Sequence, residues 1–221
     1  TPDWLRTVAV DDPTLAAGRS RKRMFILDDV DGLLHLANLG CIVLHVLGAR
    51  EVRRDRCDFI TIDFDLPEGV FFGDAVRLAL TLRRLLDDVG LTGFPKTSGQ
   101  SGLHVLIPTA TAELTIEAAR QLAELLGRLI VARHPEQATM ERRVEQRGRK
   151  IYVDTGQTGT SRTIVSPYSV RAVPGATVSA PRGWDELAAG LDPGRFDLWH
   201  VAERLREQGD LYAGMLDTGL D

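Results

Sequence analysis

The sequence predicts an α+β (mixed α/β) fold. Three observations carry that reading: a period-two apolar run over residues 58–66, two long stretches of helical periodicity at 75–89 and 115–133, and short apolar runs between them without strict βαβ regularity. Taken in order, MFILD (24–28) reads as a short strand. DDVDGLLHLANLG (28–40) reads as a helix, with acids at its start and Gly40 as its stop. CIVLHVL (41–47), rich in β-branched and aliphatic residues, predicts a buried strand, and an arginine-rich turn follows. DFITIDFDL (58–66) is the clearest strand, ended by Pro67, Glu68 and Gly69. From Ala75, apolar residues recur at Leu78, Ala79, Leu82, Leu85, Leu86 and Val89, one face of a helix that Gly90 ends. FPKTSGQSG (94–102) reads as a loop leading into the strand GLHVLIP, stopped at Pro108. Residues 115–133 predict a second helix with Ala118, Leu122, Leu125, Leu126 and Leu129 on one face, closed by Pro135. KIYVD (150–154) and RTIVS (162–166) read as strands, and WDELAAG and FDLWHVAERLRE as C-terminal helices. No repeat or low-complexity linker interrupts the chain, so residues 1–221 read as one compact unit, of one or two lobes.

Composition narrows the function. The chain of 221 residues is 43% hydrophobic and 26% charged, which excludes disordered and collagen-like classes. No stretch reaches the roughly 18 consecutive apolar residues of a membrane helix, and TPDWLRTVAVDD has no secretory pattern. Two cysteines, Cys41 and Cys57, are too few for a disulfide framework or a zinc site. They read as reduced thiols of a cytoplasmic protein. The net charge of −4 hides a gradient: residues 133–182 carry a surplus of five positive charges between two acidic stretches. Such a block is a candidate anion-binding region or a solvated mixed-charge surface.

Asp63 and Asp65 stand at i and i+2 of a strand, so both project from the same face. At ~4 Å, two unit charges repel by roughly 4 kcal/mol at an effective dielectric near 20. The next basic residue downstream is Arg77. Either water solvates the pair at a strand end, or a hard divalent cation such as Mg²⁺ or Mn²⁺ bridges it. Asp154 ends KIYVD as Asp65 ends its own strand, which makes it a third carboxylate for the same cluster or a turn residue of DTGQTG. KTSGQSGLH (96–104) combines Lys96, Thr97, Ser98, Gly99, Gly102 and His104. Its glycines could turn backbone N–H groups onto phosphate, with Thr97 and Ser98 as donors and Lys96 as charge; the Walker A spacing is absent, and an ordinary hairpin-type loop is the alternative. His45 and His104 lie in apolar runs, where a buried, hydrogen-bonded core histidine is the simpler reading of each alone.

In order, LHLANLGCIVLH, FITIDFDLPEG, KTSGQSGLHVLIP, RGRKIYVDTGQ, RTIVSPYSVRA and PGATVSAPRGWDEL resemble the polymerase domain of bacterial end-joining ligase D, in the archaeo-eukaryotic primase superfamily. The resemblance runs from Pro2 to about Ala213. It implies a nucleotidyltransferase that adds NTPs or dNTPs to DNA 3′ ends in double-strand break repair. Asp63, Asp65 and Asp154 match the family's ligands for two Mn²⁺ or Mg²⁺ ions. Ser98, with Gly99 beside it, and His104 resemble its triphosphate contacts. His45 matches a histidine near the incoming nucleotide, Arg147 and Arg171 the basic residues facing phosphates, and Gln157 a polar residue after the third aspartate. The implied partners are DNA ends, Ku and an ATP-dependent ligase domain.

This chain departs from the family pattern at several places. Ser101 stands where the family commonly has lysine, with Lys96 a possible substitute from the near side. Thr158 replaces an asparagine, Val46-Leu47 a Pro-Trp, and Val43 a glutamate. The family's N-terminal segment, with its contacts to template and 5′-phosphate, is not matched. Two other readings stand beside the polymerase: a DNA-end or partner-binding module of the same fold, and a haloacid dehalogenase-type phosphoesterase suggested by IDFDLPEG. The dehalogenase pattern lacks its Thr or Val after the second aspartate and its lysine motif.

Overall fold

A computed structural model of the protein describes residues 2–12, 21–190 and 192–218. In chain order its elements are β1 (Thr7–Asp11), β2 (Arg21–Phe25), α1 (Val30–Asn38), β3 (His45–Leu47), β4 (Phe59–Asp65), α2 (Phe72–Asp87), β5 (Phe94–Thr97), β6 (Leu103–Pro108), α3 (Ile116–Arg133), β7 (Ala138–Thr139), α4 (Val144–Arg147), β8 (Ile151–Asp154), β9 (Thr163–Val165), α5 (Trp184–Ala188) and α6 (Leu198–Gln208). The main sheet has the order β5-β6-β4-β8-β7, antiparallel except for the β7–β8 pair. β1 pairs with β2, and β3 with β9, in two small antiparallel sheets. The α+β expectation therefore holds, with helices and mixed sheets interleaved.

β4 shows how the sequence divides the molecule. Its even positions Ile60, Ile62 and Phe64 are fully buried and pack with Leu78, Ala79 and Leu82 of α2 and Ala119, Ala123 and Ile130 of α3. Its odd positions face the other way. There Phe59 is covered by Ile164, Tyr212 and Met215, while Thr61, Asp63 and Asp65 follow it along the same face. Both faces are thus apolar at the start of the strand, and only one stays apolar at its end. β6 and β8 repeat this: Leu103, Val105, Ile107, Ile151 and Val153 join the helical layer, leaving His104, Tyr152 and Asp154 on the face of the aspartates.

Four expectations are corrected. The run 41–47 is strand only over its last three residues, and it is half-exposed because β3 pairs with a single neighbour, β9. Residues 94–97 are strand rather than loop, since β5 bonds β6 on one side and meets residues 180–182 on the other. In α3 the buried face is Ala119, Ala123, Leu126, Gly127 and Ile130, whereas Leu125 and Leu129 stay 54% and 38% exposed. A Cβ on Gly127 would come within 2.9 Å of Met140 Cε and Thr155 Cγ2, so the tight approach selects small residues and rotates the large leucines outward. Val89 lies beyond the last turn of α2 and is 65% exposed. Among the described residues no helix is long and apolar enough to cross a membrane, and the two free cysteines are Cys41, exposed, and Cys57, buried.

Candidate active site

The register of the main sheet lines up four ionisable side chains directly across four strands. Lys96 of β5 lies opposite His104 of β6, His104 opposite Asp63 of β4, and Asp63 opposite Asp154 of β8. Directly opposed residues share a face, so the four form one row perpendicular to the strands. Asp65 begins the next row, opposite Tyr152.

At one end of the row, carboxylate oxygens of Asp63, Asp65 and Asp154 lie within 4.8 Å of one another. Their exposure differs in a graded way, with Asp63 buried, Asp154 half-buried and Asp65 exposed. Desolvation first, then the charges of Asp63 and Asp154, push the Asp65 carboxyl up from 3.8 to about 6, with Arg147 acting in the opposite direction. Asp154 is held from three sides: its Oδ1 accepts from Gly156 N–H at 2.7 Å and from Tyr152 Oη at 3.4 Å, and its Oδ2 from Gln157 Nε2 at 3.0 Å. Among the described residues Asp63 Oδ1 has no hydrogen-bond partner although it is buried. His104 Nε2 lies 3.2 Å away without the alignment of a hydrogen bond. A buried carboxylate oxygen without an aligned hydrogen bond, within reach of two further carboxylates, fits the donor set of a hard divalent cation.

The other end of the row is dry. Lys96 is fully buried, and its Nζ lies 2.8 Å from His104 Nδ1 and donates to Ser179 Oγ at 2.6 Å. Burial brings its ammonium down to about 7 and also lowers the pKa of His104. Thr97 is equally internal: its hydroxyl donates to Val178 O and accepts from Ala180 N–H. Neither side chain is available to a ligand, and Lys96 does not stand in for a lysine at Ser101.

Beside the row, residues 98–102 form a tight turn. Ser98 Oγ accepts from Gln100 N–H at 3.1 Å and Gly102 N–H at 2.8 Å, so those two amides point inward rather than at a phosphate. Both acceptor sites of the hydroxyl are then filled, and its proton is left to donate. Gly99 has φ +74°. A Cβ there would meet Arg171 Cγ at 2.5 Å and the backbone of Val178 and Ser179 at 2.9 Å. The close approach that this glycine permits is made by the protein's own residues 171 and 178–179. Arg171 then reaches Gln100 Oε1 at 2.6 Å.

Arg147 sits on the opposite flank. Its guanidinium stacks 3.7 Å above the Tyr152 ring and donates to the carbonyls of Glu141 and Arg142. A cleft of about 1070 Å³ opens here, lined by Asp65, Asp154, Arg147 and Arg142 together with Arg120 and Arg128 of α3. His45 is exposed on β3, not a core residue, and partial desolvation, then the charges of Arg171 and Lys96, lower its pKa. His104 does fit the buried reading. Sequence reasoning missed Tyr152 and Ser179, and marked Thr158 only as a departure from the family pattern. Thr158 Oγ1 accepts from Thr61 N–H, closing β4 where β8 no longer accompanies it. Tyr152 was readable as the i−2 neighbour of Asp154 in KIYVD, but nothing in the sequence pointed from Lys96 to Ser179.

Three clustered carboxylates with arginines beside them, on a mostly antiparallel sheet backed by helices, suit a divalent cation next to phosphate, and the family to which the chain belongs makes it a nucleotidyltransferase-type enzyme. The chain belongs to the LigD primase-polymerase domain family, whose model matches residues 1–212. It is 35% identical over 199 residues to the bifunctional non-homologous end joining protein LigD of Bacillus subtilis, covering 88% of this chain and 32% of that protein. It is 31% identical over 221 residues to the multifunctional non-homologous end joining DNA repair protein LigD of Mycobacterium tuberculosis, covering 95% and 28%. The chain thus spans about a third or less of these curated relatives. Among solved structures, the polymerase domain of Mycobacterium tuberculosis ligase D in complex with DNA superposes with a TM-score of 0.86 at 28% identity, covering 99% of this chain and 77% of that one.

Proposed function

We propose that residues 1–221 form a catalytic domain that adds NTPs or dNTPs to DNA 3′ ends during non-homologous end joining. The observation that carries the reading is the cross-strand triad Asp63, Asp65 and Asp154, with Asp63 Oδ1 buried and without an aligned hydrogen bond. These three residues would hold Mn²⁺ or Mg²⁺, as two ions. Divalent cations bound by such a triad supply charge stabilisation for an attacking 3′-hydroxyl and a departing pyrophosphate.

The chain's own part is positioning and electrostatics. Gln157 and Gly156 fix the orientation of Asp154. Ser98 offers a hydroxyl proton and His104 a ring nitrogen beside the triad, as triphosphate contacts. Arg171 on one flank and Arg147 on the other present guanidinium groups suited to bidentate phosphate contact. His45 stands near the incoming nucleotide. DNA ends are the proposed substrate, and Ku and an ATP-dependent ligase domain the proposed partners, in the cytoplasm. Support comes from the names of the LigD relatives and from the DNA held by the structural neighbour.

The test is primer extension with a labelled primer–template, Mn²⁺ and each nucleotide, beside an Asp63→Ala/Asp65→Ala double variant. Extension that disappears in the variant supports the polymerase. DNA binding without extension would make the chain a binding module, and phosphate release from small phosphoesters would make it a phosphoesterase.

A further inference from the structure

Lys96 is one of three lysines in the chain, and it is entirely enclosed, with no carboxylate in ion-pair contact among the described residues. A lysine in that position needs its own hydrogen-bond partners, and among the described residues its ammonium has two. The first assigns itself: Ser179 Oγ donates to Thr97 O at 3.0 Å, so its single proton is committed and it can only accept from Lys96. The second is His104 Nδ1 at 2.8 Å. An ammonium has no lone pair, so Nδ1 must be bare and the neutral ring must carry its hydrogen at Nε2. If the proton instead resides on the ring, both nitrogens carry hydrogen. Either way Nε2–H faces Asp63. The remaining arrangement, with Nδ1–H donating to a neutral lysine, would turn a ring lone pair onto the Asp63 carboxylate 3.2 Å away.

We propose that Lys96 is a positioning residue that fixes His104 as an Nε2–H donor toward the carboxylate face, holding the ring ready to contact a nucleotide phosphate. Lys96 touches no ligand itself. It acts through one ring, along the row that β5, β6 and β4 share, and Ser179 sets the direction of its hydrogen bonds. The value of this for phosphate recognition rests on the nucleotidyltransferase reading, whereas the ring tautomer does not.

Two measurements separate these. Nitrogen-15 NMR of histidine-labelled wild-type protein, with His104 assigned by its loss in His104→Gln, is expected to show an acceptor-type shift at Nδ1 and a donor-type shift at Nε2. A protonated Nδ1 with a bare Nε2 overturns the proposal, whatever the activity. In primer extension by the full chain, Lys96→Met is expected to raise the nucleotide KM about tenfold, with primer–template affinity unchanged. In a His104→Ala background the same substitution is expected to add nothing further. Additive effects of the two substitutions, or a loss confined to kcat, overturn it. Absence of extension by the wild-type protein would overturn the proposed function and leave the NMR result to decide the tautomer.

Discussion

Asp65 concentrates the charge conflict of the site, because it is pushed upward by desolvation and by two neighbouring carboxylates while still open to solvent. With its carboxyl at about 6 in the folded state, above 3.8, the metal-free fold binds this proton more tightly than the unfolded chain does. The resulting stabilisation is complete below about pH 4 and is lost as pH rises through 6. A cation needs the ionised form, so its affinity moves the other way. Mn²⁺ titrated calorimetrically should bind much more tightly at about pH 7.5 than at about pH 5, and Asp65→Asn should flatten that difference. A second residue carries an opposite lesson. The Arg182 guanidinium is buried, stacked 3.1 Å over Phe196 and in a loose 3.8 Å ion pair with Glu186, and among the described residues none of its three nitrogens has a hydrogen-bond partner. Burial draws its pKa down to about 10. Glu186 keeps Arg204 and the Gly183 N–H if this arginine is removed. Arg182→Met should therefore raise stability by about 1–2 kcal/mol by removing buried donors that lack hydrogen bonds, read as a higher urea midpoint at unchanged slope.

Among the elements, the 98–102 turn depends most on a single conformation. Gly99→Ala would place a methyl against the backbone of residues 178–179 in a left-handed region. We expect a loss of about 1–3 kcal/mol in denaturant titration, with a raised nucleotide KM as Arg171 is displaced. The elements also mark how far the sequence could be read. β4 was legible because its alternation is complete and Asp63 and Asp65 break only one of its faces. β5 was not, because Pro95, Lys96 and Thr97 look like loop residues, and their partners are β6 and the distant segment 178–182. Leu125 and Leu129 of α3 were assigned inward because large apolar residues usually mark the buried face. Here Gly127 and two alanines share it with Leu126 and Ile130, since Met140 and Thr155 pass too close at position 127 for any side chain. The aspartates of the site were legible singly, but that Asp154 sits opposite Asp63 follows only from the strand order.

For the whole molecule, the net charge of −4 describes no actual surface. Arginines from the basic block 133–182, joined by Arg120 and Arg128 of α3, line the cleft that opens beside the carboxylates, so opposite charges are sorted over a short distance. The same sorting places a demand on the sheet itself. β4 and β8 are paired at only three positions, and one of those rungs sets two aspartates against each other. Those strands come from parts of the chain about 90 residues apart. A cation between them would act as a clasp on the fold as well as a reagent. Amide hydrogens at the ends of β4 and β8 should then exchange quickly in chelator and become protected when Mn²⁺ is added, while those of α2 and α3 keep their protection. Assembly of the reaction centre would be, in that sense, the final step of folding.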